Sequence, residues 1–307
     1  MEFREWALIT FTILAQMSVG SFIALGIAHF YASRKAGEVE ADRFSDRALL
    51  AIGPVMALGL LASLLHLGNP INAYRAVTNI GTSWLSREVL FGVLFAVFGF
   101  AFAILQWRKI GNFKMRNVIA IIAAIFGIGL VYSMSQVYAL PTQPAWNTIA
   151  TPISFFATTL LLGALALGTA FVINYAYIKA KNPEGSEAQS GLLRGALRWI
   201  AIATVVLLGV ELVVLPLHIG SLSASGSKFA MESNNILFGQ FGIIFALRLI
   251  LVFVGAGVFG IFLYQNATSP GKEKVMASFV YGAFIMVLIA EIIGRFLFFA
   301  TQSQIVI

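Results

Sequence analysis

The chain alternates long apolar runs with short polar ones. A window of about 19 residues resolves eight apolar spans, over residues 6–31, 48–66, 86–107, 117–138, 152–178, 199–218, 239–264 and 275–300. Each is long enough, as a helix, to cross a hydrocarbon core of about 30 Å. The pattern predicts an all-α polytopic membrane protein with eight transmembrane helices. The first run, preceded by only one basic residue, Arg4, is too long for the core of a signal peptide and is expected to be a retained helix.

Charge placement orients the spans. The loops after spans one, three, five and seven carry Arg34, Lys35, Arg43, Arg47, Arg108, Lys109, Lys114, Arg116, Lys179, Lys181, Arg194, Arg198, Lys272 and Lys274, fourteen basic residues. The N-terminus and the other loops carry four, Arg4, Arg75, Arg87 and Lys228, and Arg248 and Arg295 lie inside spans. Positive charge stays on the cytoplasmic side, which puts both termini outside. The outer loops, 67–85, 139–151 and 219–238, mix apolar and polar residues, whereas inner segments such as E-V-E-A-D-R-F-S-D-R read as solvated charged turns. A docking partner is therefore expected outside.

Composition agrees with this picture and removes other classes. With 59% hydrophobic and 11% charged residues, the chain has too little polar surface to coat a soluble globule of 307 residues. Its net charge of +7 sits in loops rather than along one face, so no nucleic acid is implied. There is no cysteine, which excludes an iron-sulfur cluster or thiolate metal site held by this chain.

An internal echo divides the chain. Leu65-His66-Leu67-Gly68 closes span two and Leu217-His218-Ile219-Gly220 closes span six, an offset of 218 − 66 = 152. The same offset, 240 − 88 = 152, sets Gln240 against Glu88 at the starts of spans seven and three. Residues 1–140 and 141–307 are accordingly expected to form two four-helix halves in parallel repeat, within one membrane unit. Two letter motifs fail their context. Gly255-Ala-Gly257-Val-Phe-Gly260 has no strand before it and reads as small-residue helix packing, and the sequon at Asn266 falls in an inner loop.

Ionisable residues inside spans each cost at least about 2.5 to 3.5 kcal/mol near the bilayer centre and need a partner, water or a task. They are Glu88, Glu211, Arg248, Glu291 and Arg295, and all lie toward the outer half, as do His66 and His218 at span ends. Glu291 and Arg295 stand four residues apart on one helix face, spaced for an intrahelical pair. Arg248 can pair with Glu211 or Glu291 as inter-helix glue. Glu88 and His66 need no mutual rescue and can be solvated helix ends. A haem between His66 and His218 is allowed by count but disfavoured by their place at span ends.

A one-sided cluster of acid, histidine and arginine among apolar walls suits the oxidation of a quinol. That reaction removes two electrons and two protons, and a partly buried carboxylate with a histidine titrating near neutrality can relay the protons to water.

His66-Leu-Gly-Asn-Pro70, Leu85-Ser-Arg-Glu88, Gly209-Val-Glu211-Leu212, Arg248 in A-L-R-L and Glu291-x-x-Gly294-Arg295 occur here in an order that resembles the membrane-anchor subunit of dimethyl sulfoxide reductase, over essentially the whole chain. The resemblance implies a menaquinol-oxidising anchor in anaerobic respiration, in the prokaryotic cytoplasmic (inner) membrane. It also implies a four-cluster iron-sulfur subunit and a molybdopterin catalytic subunit as partners on the periplasmic side, and terminal reductase activity that is not this chain's own. By the same resemblance, His66 and Glu88 take the quinol's protons. Arg248, Glu291, Arg295 and Glu211 are expected to bind the quinol or shape its site, and Tyr74, Arg75 and Trp84 to face the partner. The alternatives are an anchor of the polysulfide or nitrite reductase type and, from another class, a secondary transporter.

Overall fold

A computed structural model describes residues 3–65, 78–183 and 186–303. Eight helices or helix stacks in it are long and apolar enough to cross a membrane. They are α1 (Phe3–Ala36), α2 (Glu38–Leu65), α3 (Trp84–Arg108), α4 (Phe113–Val137), α5 (Ala150–Lys181), α6 (Glu187–Ala224), the stack α8 (Gly242–Val252) and α9 (Phe259–Ala267), and α10 (Glu273–Ala300). A short helix, α7 (Lys228–Asn235), lies between α6 and α8. No strand occurs among the described residues.

The bundle is built around α1 and α5, which cross where Gly20 meets Gly163. A Cβ on Gly163 would overlap the backbone of Gly20, and one on Gly20 would overlap the carbonyl of Thr159. Ser21 donates to Gly163 O at 3.2 Å and Gln16 Nε2 donates to Phe155 O at 2.8 Å across the same interface. In a bilayer no hydrophobic force separates helix from lipid, so close backbone approach and such hydrogen bonds set the packing. α2 lies against α1, α6 against α5, α3 against α4, and α8 and α9 against α10. α3 is peripheral: Val93, Val97, Phe100, Ile104 and Trp107, at alternating spacings of four and three, are exposed as a lipid-facing stripe.

Span seven is not one regular helix. A π-helical turn, Phe253–Val258, joins α8 to α9 and contains Gly255 and Gly257. Gly255 packs on Met286 and Val287 of α10, while Gly257 and Gly260 pack on Leu208, Thr204 and Val205 of α6. The glycine triplet is therefore a two-sided packing device.

Two loops expected from the sequence are helical. Gly37, at φ 84°, is the whole break between α1 and α2, and the charged segment after it forms the first turns of α2. Glu38 and Glu40 begin that helix while Arg34 and Lys35 end α1, each favourable to the helix dipole. Asp42 and Asp46, one turn apart, receive Lys109 Nζ at 2.8 and 2.7 Å and Gln106 Nε2 at 2.6 and 2.9 Å. His29 joins them, its Nδ1 2.8 Å from Ser45 Oγ and its Nε2 3.7 Å from Asp42. This clasp ties α1, α2 and α3 at the end opposite the titratable cluster. The segment 219–238 is the second case: α6 runs through Pro216 to Ala224, Gly226 turns the chain at φ 68°, and α7 folds back. Ser227 caps α7, and Asn234 Nδ2 donates to Ile219 O at 3.0 Å and Ser223 Oγ at 2.9 Å.

Candidate functional site

Four of the five ionisable residues expected inside spans meet around one cavity. It has a volume of about 160 Å³ and lies between α5, α6, α8 and α10. α8 brings Arg248 between two carboxylates, its Nη2 3.4 Å from Glu211 Oε2 on α6 and 3.6 Å from Glu291 Oε1 on α10. Thr158 Oγ1 of α5 donates to Glu291 Oε2 at 2.6 Å. Arg248 fits because residue 294 is glycine; a Cβ there would stand 2.5 Å from Arg248 Nε.

Arg295 does not pair with Glu291, although the two share a helix face. Its Nη2 donates to Gln16 Oε1 of α1 at 2.8 Å, and its guanidinium lies 3.8 Å from the centre of the Phe155 ring. The intrahelical pair predicted from the four-residue spacing is thus replaced by inter-helix partners: Glu291 goes to Arg248 and Thr158, Arg295 to Gln16 and an aromatic face. A local spacing rule worth a few tenths of a kcal/mol yields to tertiary contacts in a buried setting.

His218 also borders this cavity. Because α6 continues to Ala224, His218 is within the helix rather than at its end, and its Nδ1 is 3.2 Å from Thr148 Oγ1. Gln240, its companion in the internal echo, is exposed on the π-helical turn Ile236–Gln240 and does not line the cavity.

Glu88 is elsewhere. It lies one turn into α3, buried to 8% exposure, and is not among the cavity's lining residues. Among the described residues its carboxylate has neither an ion pair nor a hydrogen bond, in contrast to Glu211 and Glu291. Tyr138, at the end of α4, is close enough to both Glu88 and Arg295 to feel their charges. The Tyr138 ring packs edge-on against Trp146 and Phe298, with centroids 5.4 and 5.3 Å away, and Trp146 Nε1 donates to Phe298 O at 2.8 Å. Sequence reasoning did not single out Tyr138, Thr158 or Gln16. A tyrosine at a span end and neutral polar residues in apolar runs carry no spacing signal of their own.

His66, Tyr74 and Arg75 lie outside the described residues. Trp84 is half-buried at the start of α3, edge-on to Tyr132 at 5.6 Å, with the Arg87 guanidinium 4.2 Å over its ring. Arg87 donates to Ile80 O at 2.8 Å and Gly81 O at 2.7 Å. It fastens the turn before α3, and its charge is directed to those carbonyls and to Trp84. Among the described residues no group of three His, Asp or Glu side chains is placed to hold a metal ion.

The family described as "DMSO reductase anchor subunit (DmsC)" matches residues 1–301. Over 304 residues the sequence is 26% identical to a component of the anaerobic dimethyl sulfoxide reductase of Escherichia coli, covering 98% of this protein and 96% of that one. Over 188 residues it is 28% identical to a component of the sulfite dehydrogenase of Allochromatium vinosum, covering 56% of this protein and 54% of that one. Among solved structures, the bd oxidase of Geobacillus thermodenitrificans shares the fold, with a TM-score of 0.67 over 97% of this protein and 85% of that one, at 13% identity.

Proposed function

The chain belongs to the dimethyl sulfoxide reductase anchor-subunit family, and from that premise we propose that it oxidises menaquinol near the outer face of the membrane and hands the electrons to an iron-sulfur partner. As a member of that family it is a multi-pass membrane anchor of a reductase complex. Glu88 and His66 accept the two protons, and two electrons pass to a docked four-cluster iron-sulfur subunit and on to a molybdopterin catalytic subunit. The protons leave on the periplasmic side, where both termini and the partners are located. Residues 1–140, the first of two four-helix halves, carry this site.

The observation that supports this reading best is the state of Glu88: a buried carboxylate with no neighbouring cation to neutralise it among the described residues. Burying an unpaired charge is costly. A carboxyl held that way is suited to exchange a proton rather than to bind a helix neighbour. Glu211 and Glu291, by contrast, are held by Arg248 and border a separate cavity, so this reading gives them no direct contact with the reacting quinol.

Co-purification with cluster reduction tests the proposal. The chain, extracted from its membrane, should bring iron-sulfur and molybdenum subunits in equal amounts, and a naphthoquinol should reduce the clusters within turnover time. A chain that purifies alone, as a transporter would, or clusters reduced by dithionite but not by quinol, would contradict it. The similarity to a component of a sulfite dehydrogenase favours one second reading, the same site run in reverse to reduce quinone. Cluster oxidation by added quinone, faster than cluster reduction by quinol, would select it.

A further inference from the structure

We propose that the cavity in the second half of the chain is a second binding site, separate from Glu88, for the head group of a para-quinone or quinol. Arg248 and Glu211 address one ring oxygen and His218 the other.

The cavity has the size of one ring. A volume of about 160 Å³ compares with the roughly 150 Å³ that admits a benzene molecule in a protein interior. It is polar at two ends and apolar between. Glu211 and His218 are seven residues apart on α6, about 10.5 Å of helix rise. The two oxygens of a para-quinone, with a hydrogen bond of about 2.8 Å beyond each, span about the same length. The walls between are Val214, Ile153, Leu297 and the Trp146 and Phe298 rings, which stack at 5.1 Å and 11° to present a flat face.

The polar ends have unused capacity. Arg248 Nε, Glu291 Oε1 and Arg295 Nε are buried without a hydrogen-bond partner. Arg248 Nη2 donates to Glu211 Oε2 at a long 3.4 Å and stands 3.6 Å from Glu291 Oε1, beyond hydrogen-bond distance. Buried polar atoms in native proteins are almost always satisfied. An oxygen that accepts from the guanidinium as a carbonyl, and donates to a carboxylate as a hydroxyl, meets both needs. His218 uses only Nδ1, toward Thr148, among the described residues. Val210, Leu215 and Leu237 extend the apolar lining, a flank on which the start of an isoprenoid tail can lie.

A photoreactive azido-para-benzoquinone, irradiated with the intact complex in lipid nanodiscs and mapped by peptide mass spectrometry, tests this. Adducts are expected on 145–158 or 210–222 of the wild-type chain. They should persist in Glu88→Gln and fall about tenfold in His218→Ala, which removes the hydrogen bond at one end of the cavity. They should also be lost in Val214→Trp, which fills the cavity without touching a charged group. Absence of these adducts from the wild type, or their survival unchanged in both cavity variants, overturns the proposal. The two sites fail separately. Cavity adducts with undiminished quinol turnover in Glu88→Gln would remove the Glu88 reading and keep this one, and an inactive Glu88→Gln with no cavity adducts would do the reverse.

Discussion

Glu88→Gln should lower quinol-driven turnover by about a hundredfold or more, the range that a positioned proton acceptor supplies, while turnover driven by a reduced viologen dye stays intact. The glutamine keeps the volume and shape of the side chain and removes its ability to take a proton. Since Glu88 has no ion-pair partner among the described residues, the substitution orphans no cation, and the complex should assemble in normal amounts. Steady-state assays with a naphthoquinol and with the dye, on equal amounts of complex, separate the two effects. Unchanged quinol kinetics would take Glu88 out of the mechanism. Loss of both activities would mean a structural role.

The second large effect falls on Arg248. This guanidinium is the cation shared by Glu211 and Glu291, which are 9% and 3% exposed. Arg248→Ala leaves two carboxylates buried without it, a loss of about 3 to 5 kcal/mol by the measure of broken buried pairs. Breaking a buried pair is expensive even where the pair itself adds little, because the desolvated charge remains. The expected result is a sharp fall in the thermal midpoint of the purified complex, or its disappearance from the membrane. Adding Glu211→Gln and Glu291→Gln to Arg248→Ala should restore much of the loss, since the two carboxylates that Arg248 neutralised are then gone while Arg295 keeps Gln16 and the Phe155 ring. If the triple variant is no more stable than the single one, the charge account of this cluster is wrong and packing of the arginine stem accounts for the loss.

The sequence made the spans legible because hydropathy reports transfer to lipid directly: five of the eight predicted runs lie within a described helix, and the runs 48–66, 117–138 and 239–264 overrun the bounds of α2, α4 and the α8–α9 stack by one to three residues. It misjudged where helices stop. A charged segment such as 38–47 leaves the hydrocarbon, yet its backbone remains helical, stapled by Lys109 and Gln106. The cluster of ionisable residues was legible by cost, since each charge in an apolar run demands a reason. Its internal wiring was not. Glu291 and Arg295 had the spacing to pair, and only the approach of Thr158, Gln16 and Arg248 from other helices decided otherwise. Nor did the sequence reveal that Glu88 lies apart from the cavity that Glu211, Arg248, Glu291 and Arg295 line. That separation depends on which helices are neighbours, which no local pattern encodes. His29 was passed over for the same reason: its partners, Ser45 and Asp42, come from the next helix.

The central claim, that quinol is oxidised at an outer-face site through Glu88, predicts where protons appear. Oxidised complex, reconstituted in vesicles with its partner subunits facing the medium and without terminal acceptor, is mixed with a limiting amount of naphthoquinol while a pH-sensitive dye outside and another inside are followed. Two protons per quinol should appear outside, in step with cluster reduction, and Glu88→Gln should slow both together. Protons released inside, or cluster reduction that proceeds at the wild-type rate in Glu88→Gln, would contradict it.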